Sequence, residues 1–142
     1  MSERTHTRQH RSFRFSEATL TRLDERAHEI RETRTALAER YVEEGLRMDD
    51  HPGIGFADGA TGRRAVMIGT GLDVWELIAT VKQSKGSVVA VARYLELPVG
   101  VVRTAVRYYA AFPDEVDDRL ARHAAIADRE EAAAQRERAI LR

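Results

Sequence analysis

The sequence predicts a mainly α-helical protein with short β elements, organised as two small modules. Apolar residues recur at helical spacing in six segments, whereas strand-like alternation is confined to the N-terminal region and a Gly-rich hairpin pattern to the middle. The 142 residues include four Phe, four Tyr and one Trp, so the apolar content consists largely of small side chains. A chain of this composition fills two small cores more readily than one large core.

The zero net charge conceals an alternation of charge along the chain. Residues 1–15 carry four Arg and one Glu, and residues 51–112 carry seven basic and four acidic groups, so each segment has a charge of +3. Residues 16–50 (six basic, ten acidic) and 113–142 (six basic, eight acidic) have charges of −4 and −2. We interpret the acidic segments as solvated surface, whereas the basic segments are able to bind a polyanion locally.

Several functional classes are disfavoured by composition. The absence of cysteine excludes disulfides, thiolate zinc sites and cysteine nucleophiles, and no stretch approaches the ~20 apolar residues of a membrane span. The N-terminus lacks the apolar run of a signal peptide, so we expect a cytoplasmic protein without a membrane partner. His6 and His10 alone have metal-ligand spacing, and no known catalytic motif occurs. We therefore predict no enzyme activity, catalytic residue, metal or cofactor.

The first module is predicted to contain a strand and two helices, after a disordered tail at residues 1–8. His10, Ser12 and Arg14 alternate with Arg11, Phe13 and Phe15, which indicates a short strand that needs a partner strand for stability. Apolar spacing predicts a helix over 17–30, capped by Ser16, and a second over 34–47, capped by Thr33. Residues 49–53 then form a predicted linker, so the first module spans 9–48.

The second module, residues 51–117, is predicted to contain a β-hairpin and a helix-turn-helix. Residues 54–56 and 64–68 flank a Gly-rich turn, and Asp73 precedes a predicted helix over 74–83. Ser87 caps the next helix, and Pro98 suits the first position of a helix reaching about residue 112. Helix, short turn and helix in this order are typical of a helix-turn-helix. Residues 114–142 are predicted to be helical, and residues 118–142 of this helix form a charged tail whose apolar face is mostly alanine.

The first module resembles the ribbon-helix-helix family of bacterial repressors and antitoxins. The resemblance is carried by Ser12–Phe13–Arg14–Phe15–Ser16, by the segment Thr33–Arg34–Thr35–Ala36–Leu37–Ala38–Glu39, and by the lengths between them. It implies that strands from two subunits form an antiparallel ribbon that enters the DNA major groove. Dimerisation would bury one face of the ribbon; the predicted dimer core is Phe13, Phe15, Leu37 and Tyr41.

The opposite face of the ribbon is the predicted DNA-reading surface. His10, Ser12 and Arg14 are the candidate base contacts, because Arg contacts guanine bidentately and Ser donates or accepts at several bases. Thr33, Arg34 and Thr35 at the start of the second helix are the candidate phosphate contacts. The alternative is a solvated hairpin that serves only dimerisation.

The second module is similar to the domain-of-unknown-function-433 family, which occurs in antitoxins of the VapB type. The similarity is carried by His51–Pro52–Gly53–Ile54, Asp58–Gly59, Thr61–Gly62–Arg63–Arg64, Ile68–Gly69–Thr70, Val74–Trp75, Val91–Ala92, Tyr94, Val102–Arg103, Ala105, Tyr108–Tyr109 and Pro113–Asp114–Glu115. Arg103, Thr104 and Arg107 form a possible second DNA-binding face; a dimerisation or toxin-docking scaffold is the alternative. Trp75, Tyr94, Tyr108 and Tyr109 are expected in the core or an interface.

The family resemblance implies a cognate toxin, expected to be a PIN-like ribonuclease. Antitoxins commonly contact their toxin through a C-terminal segment, and the candidate toxin-binding residues are Leu120, Arg129, Arg136, Arg138 and Leu141. A charged tail without a partner is the alternative. We therefore predict an antitoxin that acts as a homodimer or larger assembly, binds operator DNA, represses its own operon and neutralises the toxin. A stand-alone repressor and a non-DNA-binding scaffold remain the alternatives.

Overall fold

Helix α1 spans Glu17–Ile30 and begins where the sequence places its cap. The Ser16 hydroxyl oxygen accepts a hydrogen bond from the Thr19 N–H at 3.2 Å, and Glu17 in the first turn complements the helix dipole. The computed structural model describes residues 8–141. The chain divides into two compact units, Met1–Glu43 and Glu44–Arg142.

Helix α1 is followed by its C-cap residue Arg31, which adopts the left-handed conformation with φ of 57° although it is not glycine. The turn leads into helix α2, Arg34–Asp50, where the Thr33 hydroxyl oxygen accepts a hydrogen bond from the Ala36 N–H at 3.1 Å. Helix α2 therefore continues three residues beyond its predicted end, and the predicted linker starts too early. Asp49 and Asp50 lie in the helix because neither residue breaks it, and the His51 N–H still bonds to the Arg47 carbonyl.

Residues 8–16 form neither helix nor strand within the single chain. Within the described part of the chain no strand lies beside residues 10–15, so a ladder of backbone hydrogen bonds does not form there. The predicted intersubunit ribbon thus stays a prediction.

The second unit contains a three-stranded antiparallel sheet in the order β1-β2-β3. Strands β1 (Ile54–Ala57) and β2 (Arg64–Met67) form the predicted hairpin, with Ile54 opposite Met67. A third strand, β3 (Leu72–Asp73), pairs with β2 and was not predicted, because two residues carry no detectable periodicity.

Three helices follow at almost the predicted positions: α3 (Val74–Gln83), α4 (Val88–Leu95) and α5 (Val99–Ala111). Asp73 and Glu76 form a reciprocal capping box at the start of α3, and Ser87 caps α4 through the Ala90 N–H. The C-cap residue of α4 is Glu96, which is also left-handed with φ of 56°.

Helix α6 runs without interruption from Pro113 to Ile140, so the predicted tail at 118–142 belongs to a helix that begins earlier. Pro113 occupies the first turn of the helix, where its missing N–H costs no hydrogen bond. Val116 is buried in the core of the second unit and Leu120 packs against this core. The other buried core residues are Ile54, Met67, Val74, Leu77, Ile78, Val91, Ala92, Val102, Ala105 and Tyr108. None of the helices within residues 8–141 is long and apolar enough to cross a membrane.

Candidate nucleic-acid and partner interfaces

The predicted DNA-reading segment is exposed along its whole length in the single chain. His10, Ser12 and Arg14 are all exposed, and so are the two aromatic residues that alternate with them. Phe13 is 77% exposed and Phe15 is 47% exposed. Large apolar side chains at this exposure are a feature of surfaces that bind a partner.

The predicted dimer core is only partly available to a second subunit. Leu37 is completely buried in the first unit, as is nearly all of Ala27, so Leu37 stabilises the single chain. Tyr41, one turn further along α2, is 45% exposed, and the neighbouring Val42 is 59% exposed. In the described part of the first unit, the large apolar side chains left exposed for a partner are Phe13, Phe15, Tyr41 and Val42.

The predicted phosphate contacts lie at the N-terminus of α2, where Thr33, Arg34 and Thr35 are all exposed. The guanidinium of Arg34 binds both carboxylate oxygens of Asp24, and the contact from its Nη2 measures 2.7 Å. This ion pair raises the pKa of Arg34, through hydrogen bonding first and charge attraction second. Within the single chain Arg34 is engaged by an acidic neighbour, which sequence spacing did not reveal because the two residues are ten positions apart.

The possible second DNA-binding face lies on α5. Arg103 and Arg107 are exposed one turn apart, while Val102, Ala105 and Tyr108 on the other side of the helix are buried. The Thr104 hydroxyl donates to the Gly100 carbonyl at 2.9 Å, so Thr104 satisfies its donor within the helix.

The four aromatic residues expected in the core or an interface have different environments. Tyr108 is completely buried, and Trp75 and Tyr109 pack against the core of the second unit. Tyr94 is 78% exposed and contributes nothing to this core. Its place on the outer face of α4 explains the difference, because the buried stripe of that helix consists of Val91 and Ala92.

A polar cluster at the N-terminus of α6 was not predicted from the sequence. Arg47 donates to the Tyr108 hydroxyl and to Glu115, both at 2.9 Å, while Tyr108 donates to the other Glu115 oxygen at 2.5 Å. The Arg47 guanidinium also lies 3.8 Å from the centre of the Phe112 ring. Burial and the neighbouring Glu115 carboxylate raise the pKa of Tyr108, so the hydroxyl remains a hydrogen-bond donor. The cluster fixes the start of α6.

Two arginines of α6 hold the Gly-rich loop between β1 and β2. Arg119 donates to the Thr61 carbonyl at 2.7 Å, to the Thr61 hydroxyl at 3.0 Å and to the Arg63 carbonyl, and Arg122 also donates to the Thr61 carbonyl at 3.0 Å. Gly62, with φ of +96°, gives the loop the conformation that presents these carbonyls. The interaction spans 58 positions of sequence, so no local pattern signals it.

The candidate toxin-binding residues divide into two groups. Leu120 is half-buried because it packs on the core, whereas Arg129, Arg136, Arg138 and Leu141 are exposed. Arg138 forms an ion pair with Glu131 at 3.2 Å, and both side chains are exposed. Such an exposed pair stabilises a helix only slightly, so Arg138 loses little if it exchanges Glu131 for an acidic group of a partner.

Within residues 8–141 no group of three or more His, Asp or Glu residues is arranged to hold a metal ion. His6, one of the two histidines with metal-ligand spacing, lies outside the described residues. Comparisons with protein-family models, with curated proteins and with solved structures return no match for this chain.

Proposed function

We propose that this chain is a dimeric antitoxin of a type II toxin–antitoxin pair, which binds operator DNA, represses its own operon and neutralises a PIN-like ribonuclease toxin in the cytoplasm. The observation that carries the proposal is the segment 10–15, where exposed aromatic and basic residues alternate and no strand within residues 8–141 pairs with them. The resemblance of the two modules to ribbon-helix-helix and domain-of-unknown-function-433 proteins supplies the biological role.

Dimerisation follows from the apolar side of this segment. Phe13 and Phe15, together with Tyr41 and Val42, leave an apolar surface exposed in the single chain. An antiparallel strand from a second copy would cover this surface and satisfy the backbone groups of both strands at once.

DNA recognition follows from the other side of the same segment. A two-fold related ribbon presents His10, Ser12 and Arg14 twice, and such a ribbon fits the major groove. The N-termini of the two α2 helices would direct free N–H groups at phosphates, with Thr33 and Thr35 beside them. Arg34 would have to exchange its contact with Asp24 for one with phosphate.

Toxin binding is assigned to the outer face of α6. Arg129 and Arg136 are seven residues apart and lie on one side of the helix, roughly opposite Ala127 and Ala134. Two exposed guanidinium groups in this arrangement suit the carboxylate cluster of a metal-dependent nuclease.

DNA binding is tested by fluorescence anisotropy on the DNA upstream of the gene, across a salt series. Arg14→Ala should weaken the binding free energy for operator DNA by about 1–3 kcal/mol and remove base preference at one position of each half-site. Arg11→Ala is the matched control, since it removes the same charge from the other face and should leave base preference intact. Equal base discrimination in the two variants would exclude the ribbon as the reading element, and affinity that does not depend on salt would favour a non-DNA-binding scaffold.

The antitoxin role is tested by growth of a host that expresses the neighbouring open reading frame, with and without this protein. Wild-type protein should rescue growth, and charge reversal at Arg129 and Arg136 should abolish rescue while leaving operator binding unchanged. A harmless neighbour, or a toxic one that this protein does not neutralise, would leave the stand-alone repressor as the better account.

A further inference from the structure

The second unit has an open groove between α3 and α6 that its own chain leaves unfilled. Trp75 and Ala79 line it from α3, and the α6 side is formed by Leu120, His123, Ala124 and Ala127. The Trp75 and His123 rings stack with centroids 3.8 Å apart and planes inclined by 9°, giving the groove a flat, mostly apolar floor. A floor of this shape suits the side of an approaching helix.

Helix α6 itself continues beyond the groove. Glu130 is its last groove-lining residue, and the ten residues from Glu131 to Ile140 extend the helix by about 15 Å. Ile140 and Leu141 at its end are 81% and 78% exposed. An alanine-rich helical segment without tertiary contacts is only marginally stable in water, so this overhang gains from a partner.

The apolar stripe of the groove continues along the overhang with a constant period. Leu120, Ala127, Ala134 and Leu141 are spaced by seven residues, which places them on one face of α6. Groove and overhang are thus two halves of one surface, and the alanines allow a second helix to approach closely.

The charges of α6 favour an antiparallel copy of the same helix. Residues 113–118 carry four acidic groups (−4) and residues 119–127 carry two Arg (+2). Residues 128–131 carry three acidic groups and one Arg (−2), and residues 132–142 carry three Arg and one Glu (+2). An antiparallel overlay centred near Ala127 places the acidic residues 113–118 of one copy opposite residues 136–141 of the other, which carry two Arg and one Glu (+1), whereas a parallel overlay brings like charges together.

We propose that the α6 helices of two copies pair in antiparallel orientation, so that residues 124–134 of one copy cover the α3–α6 groove of the second copy, and that the second copy returns the same contact. Ala127 lies near the two-fold axis of this pair, with Ala134 of one chain opposite Leu120 of the other. Asp117 and Arg138 flank the stripe on one side and meet across the interface. The contact is isologous, so it closes on itself as a pair of chains.

This interface is separate from the ribbon at residues 10–15 and does not depend on the proposed function. A chain with both interfaces assembles beyond a dimer. The face that carries Arg129 and Arg136 points away from the helix pair and stays accessible.

The test compares Ala127→Arg with Ala125→Arg by sedimentation velocity on the full chain. Both alanines are exposed and lie two residues apart on α6, but they are on opposite faces. Both variants are made in a Phe13→Ala background, so that a ribbon does not contribute to the mass. We expect a dimer for Phe13→Ala alone and for its Ala125→Arg form, and a monomer for its Ala127→Arg form. A monomeric Phe13→Ala protein, or equal masses for the two arginine variants, would overturn the proposal.

The cysteine-free sequence allows a second, covalent readout. Under mild oxidation Ala127→Cys should form a disulfide between copies and Ala125→Cys should remain reduced, because only the first position approaches its equivalent closely enough. Equal cross-linking of the two variants would contradict the antiparallel pair. Loss of toxin neutralisation in Ala127→Arg without any change of mass would assign the groove to the toxin and also overturn the proposal.

Discussion

Phe13→Ala separates the stability of the single chain from the stability of the proposed ribbon dimer. The Phe13 side chain is 77% exposed, so its removal takes little packing from its own chain. We expect the free energy of unfolding of the monomer to change by less than about 0.5 kcal/mol, as is usual for surface positions. The effect on dimerisation should be much larger.

The size of that effect follows from the exposed area. A phenylalanine side chain buries about 200 Å², so roughly 150 Å² of Phe13 remains available to a second subunit. If a ribbon covers half of this area, burial contributes about 2 kcal/mol per ring and about 4 kcal/mol per symmetric dimer. A loss of about 4 kcal/mol raises the dimer Kd by about a thousand-fold.

The assay is sedimentation velocity over a dilution series, in an Ala127→Arg background so that the α6 interface does not contribute. Tyr94→Ala is the matched control, because Tyr94 is an aromatic residue with 78% exposure in the other unit. Its replacement should leave the dimer Kd unchanged. If Phe13→Ala and Tyr94→Ala have the same dimer Kd, the exposed aromatic residues do not form a dimer core and the reasoning fails.

Further substitutions test three other contacts of the structure. Arg34→Ala should reduce the slope of log affinity against log salt by about one in DNA titrations, and Asp24→Asn should raise the affinity because Arg34 no longer has to leave its carboxylate partner; an unchanged slope for Arg34→Ala would show that Arg34 does not contact phosphate. Tyr109→Phe removes the hydrogen bond that, ahead of Lys82, lowers the pKa of Asp117. A carboxyl group whose pKa is lowered in the folded state stabilises the fold above about pH 4, and this stabilisation is lost as the pH falls through the folded pKa. The urea midpoint of the variant should therefore lie below that of the wild type above about pH 4 and match it at lower pH. A deficit that persists at lower pH would point to lost packing instead. Arg119→Met removes three hydrogen bonds to the β1–β2 loop and should lower the free energy of unfolding by about 1.5–3 kcal/mol, with faster amide exchange confined to residues 58–63. Exchange that rises throughout the second unit would instead indicate a global effect.

The parts of the fold that were predicted from sequence are those set by local chemistry. Ser16, Thr33 and Ser87 each cap the helix that follows, and the hairpin strands lie where the Gly-rich turn indicates. The mainly helical class with a small sheet is confirmed for the same reason. The end of α1 was predicted at the correct residue although Arg31 is not a usual left-handed residue, because the apolar period itself stops there.

The parts that escaped prediction depend on contacts between distant residues. Arg119 donates hydrogen bonds to Thr61, and Arg47 donates to Tyr108 and Glu115. These contacts join residues 58 to 68 positions apart, and the periodicity of a sequence does not indicate such pairs. The same reason explains why the sequence did not reveal that Leu120 packs against the core of its own chain. Periodicity identifies the apolar face of a helix but not the element that packs against it. The residues of the candidate interfaces were therefore predicted without their contacts.

Among residues 8–141 three that are not glycine, Arg31, Lys85 and Glu96, have positive φ of 54° to 57°. An L-residue with a side chain pays roughly 1–2 kcal/mol in this conformation, whereas glycine adopts it freely. Replacing them by glycine would change the stability of the backbone without altering any proposed interface. Glycine substitutions at these three positions therefore serve as controls for stability. A phenotype caused by altered binding should not change in these variants, whereas a phenotype caused by altered folding stability should change.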